Sequence, residues 1–92
     1  MGGGKFPLGL VVITQGALAA FEATGEEPML FVLRHVQGDW GELSAEDVQA
    51  NETALLSGLR LLSAYTLKDQ TRIWIITEAD RSLTTILLPE EY

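Results

Sequence analysis

Apolar and polar positions follow a three- and four-residue spacing along the first two-thirds of the chain and change to a spacing of two over the last third. Leu8 to Ile13 is a short apolar run with β-branched residues, preceded by Pro7, and it predicts a buried strand that begins at or near a sheet edge. Thr14 is placed to cap a helix through Ala17, Leu18, Ala19, Ala20 and Phe21, and Gly25 to end it in a left-handed turn. Glu26-Glu27-Pro28 opens a second helix, because proline is tolerated in a first turn and acids favour the positive helix end. Met29, Val32, Leu33 and Val36 form its expected core stripe, with Phe31 beside it and Gly38 as its stop. Ser44 with Asp47 resembles a capping box for a third helix, in which Val48, Asn51, Ala54 and Leu55 lie near one face and Gly58 is the stop.

From there the pattern predicts three strands, 59–67, 72–78 and 83–88, joined by turns at 68–71 and 79–82. If both turns hold four residues, Leu67 pairs with Arg72 and Glu78 with Leu83. One face then receives Leu62, Ala64, Ile73, Ile75, Thr77, Thr84, Ile86 and Leu88. The other receives Ser63, Tyr65, Trp74, Ile76, Thr85 and Leu87, with Tyr65 and Trp74 directly opposite each other. Both faces are too apolar to meet water, so helices cover both or a second copy covers one. The expected fold is α+β: about three short helices followed by a three- to four-stranded antiparallel meander. It forms a single domain over residues 6–92, behind a flexible glycine-rich end at 1–5.

Composition narrows the chemistry. Ninety-two residues bound the answer to one domain, and 47% hydrophobic content is enough for a core without staples. There are no cysteines, so disulfides and thiolate metal sites are excluded; with a single histidine, a zinc site would need mostly carboxylates. No metal or cofactor is expected. No apolar segment is long enough to span a membrane and no signal-peptide pattern is present, which fits a cytoplasmic protein. The net charge of −7 is concentrated in the helical part, where residues 21–43 hold five acids against one arginine and residues 44–58 hold three acids and no base. Such a field repels phosphate backbones, so nucleic acid is not the expected direct ligand.

No phosphate-binding glycine loop, dinucleotide fingerprint or zinc-helix pattern occurs. Two groups of residues still carry chemistry. His35, Arg60, Ser63, Tyr65 and Thr85 are those a metal-free ribonuclease needs: proton transfer by the imidazole, and charge stabilisation by guanidinium and hydroxyls. Against this, a lone histidine late in a helix also interacts with the negative helix end, and threonine in a strand often reflects β-propensity. Arg60, Arg72 and Arg81 come from different strand ends, with Arg60 and Arg72 on opposite faces in the expected register, so they are not expected to hold one phosphate together. The second group is Asp39, Trp40, Tyr65 and Trp74, a loop corner and two strand aromatics suited to protein contact, since aromatic anchors dominate binding energies when centrally buried.

Several stretches together resemble a known group: Gly16-Ala17-Leu18, Arg34-His35-Val36-Gln37-Gly38-Asp39-Trp40-Gly41, Asn51, Arg60 to Tyr65, Ile73 to Ser82, and Thr84 to Tyr92. They resemble a family of small bacterial proteins linked to plasmids and integrative elements, often labelled "plasmid-related protein" or "type I restriction endonuclease subunit M". The resemblance spans nearly the whole chain after Lys5. It implies a bacterial, cytoplasmic, mobile-element-associated protein and brings no catalytic residues with it. A modification subunit also needs a doubly wound nucleotide-binding sheet and a base-flipping loop, which this pattern does not hold. A weaker architectural similarity, helices before a small antiparallel sheet, is to barnase- and RelE-like toxin ribonucleases. Three functions are therefore expected in order. The first is a non-catalytic accessory protein that modulates a host defence system through protein contacts. The second is a small metal-free ribonuclease using His35 and Arg60, and the third a homodimeric structural module.

Overall fold

The computed structural model describes residues 4–92. The chain runs β1 (Leu10–Ile13), α1 (Gln15–Thr24), α2 (Pro28–Val36), α3 (Ala45–Ser57), β2 (Leu61–Thr66), β3 (Arg72–Thr77) and β4 (Leu83–Leu87), then a single 3-10 turn at Pro89–Glu91. Local chemistry explains the helix limits. The Thr14 hydroxyl accepts the Ala17 N–H, Glu27 accepts the Met29 N–H ahead of Pro28, and Ser44 accepts the Asp47 N–H. Gly25 and Gly58 end α1 and α3 in the left-handed region, where a side chain would be strained.

The sheet has the order β1-β4-β3-β2. β2, β3 and β4 form the expected antiparallel meander, but β1 joins β4 in parallel, pairing Leu10 with Leu83 and Ile13 with Ile86. The architecture is therefore α+β with a mixed sheet rather than an antiparallel one, and a strand precedes the helices. A radius of gyration of 12.5 Å fits one domain of this length, for which about 12 Å is expected. Of the end read as flexible, residues 1–3 lie outside the described residues, while the Lys5 N–H bonds the Val36 carbonyl at 2.8 Å.

Register corrects a second expectation. β3 and β4 pair as the four-residue turn requires, with Trp74 opposite Leu87. Between β2 and β3 the loop holds three residues, 68–70: Leu67 and Thr71 share a hydrogen bond and Gln70 takes φ 75°. This is the three-residue hairpin in which a type I turn is followed by a left-handed residue. Thr66 therefore pairs with Arg72, Tyr65 with Ile73 and Ala64 with Trp74. A slip of one residue exchanges the faces of a strand. Leu61, Ser63 and Tyr65 now join Ile73, Ile75, Thr77, Thr84 and Ile86 under the helices. Leu62 and Ala64 turn to the second face with Trp74, Ile76, Thr85 and Leu87. Tyr65 and Trp74 are on opposite sides of the sheet, and Arg60 and Arg72 share a face at opposite ends.

Under the helices, Ala17, Phe21 and Val32 pack on Tyr65, Leu67, Ile73, Ile75 and Ile86, and Phe6, Trp40 and Ala54 pack on Leu61. The inward line of α2 is Val32 with His35, whereas Met29 and Leu33, expected in the core, are about half exposed at 48% and 50%. The helix is rotated because His35, its one polar inward residue, meets hydroxyls from the sheet. Among the described residues no helix is layered on the second face; the C-terminal turn reaches over it, setting the Tyr92 ring 5.8 Å from Trp74 and under the Arg60 guanidinium.

The two sheet edges differ. Outside β2, Gly41 forms a parallel bridge to Ala64, with the Ala64 N–H on the Trp40 carbonyl and the Glu42 N–H on the Ala64 carbonyl. Gly41 has φ 77°, and a Cβ there would meet the Ala64 carbonyl oxygen at 2.0 Å, so only glycine allows this approach. Further along, the Asn51 amide donates to the Leu62 carbonyl at 2.7 Å and accepts the Leu62 N–H at 3.1 Å, imitating a neighbouring strand. Among the described residues nothing equivalent lies along β1.

Candidate functional site

His35 is the centre of a buried chain of hydrogen-bonded polar side chains. Late in α2, it points into the sheet and is 0% exposed. Its Nδ1 lies 2.5 Å from the Ser63 hydroxyl and its Nε2 lies 2.9 Å from the Thr77 hydroxyl. Thr77 continues to Thr84 at 2.7 Å, and Thr84 donates to the Leu8 carbonyl at 2.7 Å. A carbonyl can only accept, so this last bond orients the whole chain. Thr84 has one hydrogen and gives it to Leu8, so Thr77 donates to Thr84. Thr77 must then accept from His35, which places the ring proton on Nε2. Nδ1 is bare and accepts from Ser63.

The ring is further enclosed edge-on by Phe6 and Trp40, at centroid distances of 5.2 and 5.8 Å. Burial lowers its pKa to about 4, so the imidazole is neutral at pH 7. Surface clefts of about 390, 290 and 170 Å³ are lined by other residues. A histidine in this state fastens α2 to three strands and to the segment before β1, and has no opening through which to exchange a proton with a substrate.

The residues of the ribonuclease group do not converge. Ser63 and Tyr65 lie on the His35 side of the sheet, while Arg60 and Thr85 lie on the second face, Arg60 over the Tyr92 ring at 5.2 Å. Arg81 belongs to neither. It donates to the Leu59 and Ala54 carbonyls at 2.6 and 3.0 Å, and to Glu78 at 3.1 Å, and so receives the carbonyl end of α3.

The interaction group also divides. Asp39 pairs with Arg34, whose Nε lies 2.8 Å from Oδ2, and accepts the Gly41 N–H; these bonds hold its carboxyl below the usual range. The Arg34 guanidinium lies 4.6 Å from the centroid of the Tyr65 ring. Trp40 is buried and its indole donates to Glu52 at 2.9 Å. Tyr65 is buried, donates to the Asp39 carbonyl at 2.6 Å, and has its pKa pushed up to about 12 by burial. Of the three aromatics Trp74 alone is only partly buried, and Asp39 is exposed.

Sequence reasoning left Thr77 and Thr84 out of the ribonuclease group, though Thr84 is one of the hydroxyls it placed on neighbouring strands. The available signal was two hydroxyls in core-facing strand positions of a chain with one histidine. It also missed Glu91, whose carboxylate accepts the Thr14 hydroxyl, the Leu88 N–H and the Gly16 N–H and so ties the C-terminal turn to the start of α1. Among the described residues no group of histidines and carboxylates could hold a metal ion, and no helix is long and apolar enough to cross a membrane. Comparison with protein-family models, curated proteins and solved structures finds no match.

Proposed function

We propose that this chain is a non-catalytic interaction protein, whose working surface is the second face of the sheet around Trp74 and Tyr92. One observation carries the reading: on this face Leu62, Trp74, Leu83 and Thr85 are only partly buried around the buried Ala64, Ile76 and Leu87, Leu10 and Val12 are exposed beside them, and among the described residues no helix is layered on it. Sheet faces of this composition are normally covered, and contiguous apolar surface marks a place of contact. Trp74 and Tyr92, with Arg60 over the latter, provide the aromatic and arginine anchors that concentrate binding energy at protein interfaces. The sealed, neutral state of His35 favours this reading over the ribonuclease.

The resemblance to small plasmid-linked bacterial proteins suggests the setting, an accessory protein of a mobile element that modulates a host restriction system. The test is retention of purified restriction complexes by the immobilised chain, compared with Trp74→Arg. Binding that Trp74→Arg abolishes, with its circular dichroism unchanged, is the expected result. Retention of none of the complexes removes the proposed partner, and retention unaltered by Trp74→Arg removes the proposed surface.

A further inference from the structure

The sheet is closed with care on one edge and left open on the other. Beyond β2, the Trp40–Glu42 segment and the Asn51 amide take up the outward backbone groups. At β1, the Leu10 and Thr14 N–H groups bond the Ser82 and Ile86 carbonyls of the β4 side. Strand alternation therefore turns the N–H and C=O of Val11 and Ile13 away from the sheet. Edge strands are usually guarded by lysine, proline, a bulge or a covering loop. The sequence Leu10-Val11-Val12-Ile13 has only its shortness as protection. Beside this edge lies a cleft of about 290 Å³ lined by the strand with Leu18, Pro28, Met29 and Ile86, in which Glu27 is the only charged residue. Leu18 and Met29 on its wall are 42% and 48% exposed.

We infer that β1 is a dimerisation strand, pairing antiparallel with β1 of a second copy across a two-fold axis at Val12. Free main-chain donors and acceptors identify the occupant as an extended strand rather than a helix or a small molecule. Its chemistry must also suit an uncharged apolar edge, which offers nothing to a partner selected by charge. In a chain of net charge −7, this strand is a surface that two copies can join without opposing carboxylates on the paired residues.

The register follows from which groups point outward. Val11 must exchange both hydrogen bonds with Ile13 of the second copy, and Ile13 with its Val11, giving four main-chain bonds. The two Val12 side chains then meet as a close non-hydrogen-bonded pair on the second face. Val11 and Ile13 face the cleft side, where Leu18 and Met29 provide apolar walls. The product is one continuous eight-stranded sheet. Val12 shares the outer face with Trp74, but the groups that join the copies are main-chain atoms of the sheet edge, so Trp74→Arg should abolish partner binding and leave the dimer intact.

The test is sedimentation equilibrium of the full chain from micromolar to millimolar concentration, with amide exchange of Val11 and Ile13 followed by NMR over the same range. The expected result is a dimer in which those two amides become protected as concentration rises. Val12→Lys, at an exposed side chain, sets two like charges face to face and should give a folded monomer. Val11→Pro should do the same by deleting two of the four bonds, because the lost N–H serves no partner within the chain. A wild-type chain that stays monomeric at millimolar concentration overturns the inference. So does a dimer that survives Val12→Lys, or one lost only on Trp74→Arg, which would place the contact on the sheet face instead.

Discussion

Lowering the pH tests the oriented hydrogen-bond chain through His35. The folded-state pKa is about 4, against 6.5 for the free side chain. Above pH 6.5 both folded and unfolded states hold a neutral ring, and His35 adds no pH dependence. Between 6.5 and about 4 the unfolded chain takes up a proton that the folded chain refuses, so stability falls as pH falls, by about 1.4 kcal/mol per pH unit within the window. The total loss at pH 4 is roughly 3 kcal/mol, a large share of the ~5–15 kcal/mol typical of a domain. The structural reason is that an imidazolium must donate from both nitrogens. Nδ1 would have to turn the Ser63 hydroxyl around, and the charge would sit among Phe6, Trp40 and the strands without a counter-ion. Asp39, Asp69, Asp80 and Glu91 also have lowered pKa values through hydrogen bonds from Arg34, Thr71, Ser82 and Thr14 respectively. Their stabilisation is lost only as pH falls towards and below the ordinary carboxylate range, so the two windows separate. The assay is urea denaturation from pH 7.5 to 4 for the wild type and His35→Gln, whose amide can still donate to Thr77 and accept from Ser63. The wild type should lose stability through the window while the variant stays flat, and NMR titration of the His35 ring should show no protonation at pH 6. A ring that titrates near pH 6.5, or equal slopes in the two proteins, refutes the burial argument.

Asn51→Ala should cost about 1–3 kcal/mol in urea denaturation, because it leaves both the N–H and C=O of Leu62 without their partner. Gly41→Ala should be far more damaging and give little folded protein by circular dichroism, since its Cβ cannot occupy the space held by the Ala64 carbonyl and its backbone is left-handed. Gly16→Ala places a methyl group 2.4 Å from the Glu91 carboxylate, the movable end of a side chain, so the carboxylate should swing away and give up its Gly16 N–H bond with the fold retained, read as a small loss of stability in thermal melts. Arg81→Ala should lower stability by roughly 1–3 kcal/mol through loss of the bonds to the α3 end. Arg81→Gly should be less harmful than Ala, because φ at this position is 62° and glycine adopts it freely; the order is read from thermal melts.

What the sequence revealed about this fold divides along the range of the interaction. Helix ends at Thr14, Gly25, Ser44 and Gly58 depend on groups within three or four residues, and each was legible. The β3–β4 turn was also legible, because Asp80 and Ser82 are residues that turns ordinarily employ. The β2–β3 turn was not, because Gln70 occupies a left-handed position that favours glycine or asparagine, and nothing in its side chain announces that. The parallel pairing of β1 with β4 was also hidden. A strand's periodicity states which of its sides is apolar, not which strand it will meet some seventy residues later.

The missed turn residue bears most directly on the candidate site. With a four-residue loop, Tyr65 and Trp74 form one aromatic patch, and Ser63 lies on the face away from Thr77 and Thr84. With the three-residue loop, Ser63 rotates under the helices, where its hydroxyl and that of Thr77 hold the two nitrogens of His35. The same rotation moves Tyr65 into the core beneath Arg34 and leaves Trp74 on the outer face with Tyr92. A single change of parity in β2 therefore alters both readings together. It encloses the histidine that suggested proton transfer, and it reduces the expected aromatic pair to one partly buried tryptophan packed against Tyr92 on the outer face. Residue type named the candidates, but which of them meet depends on a backbone angle at Gln70.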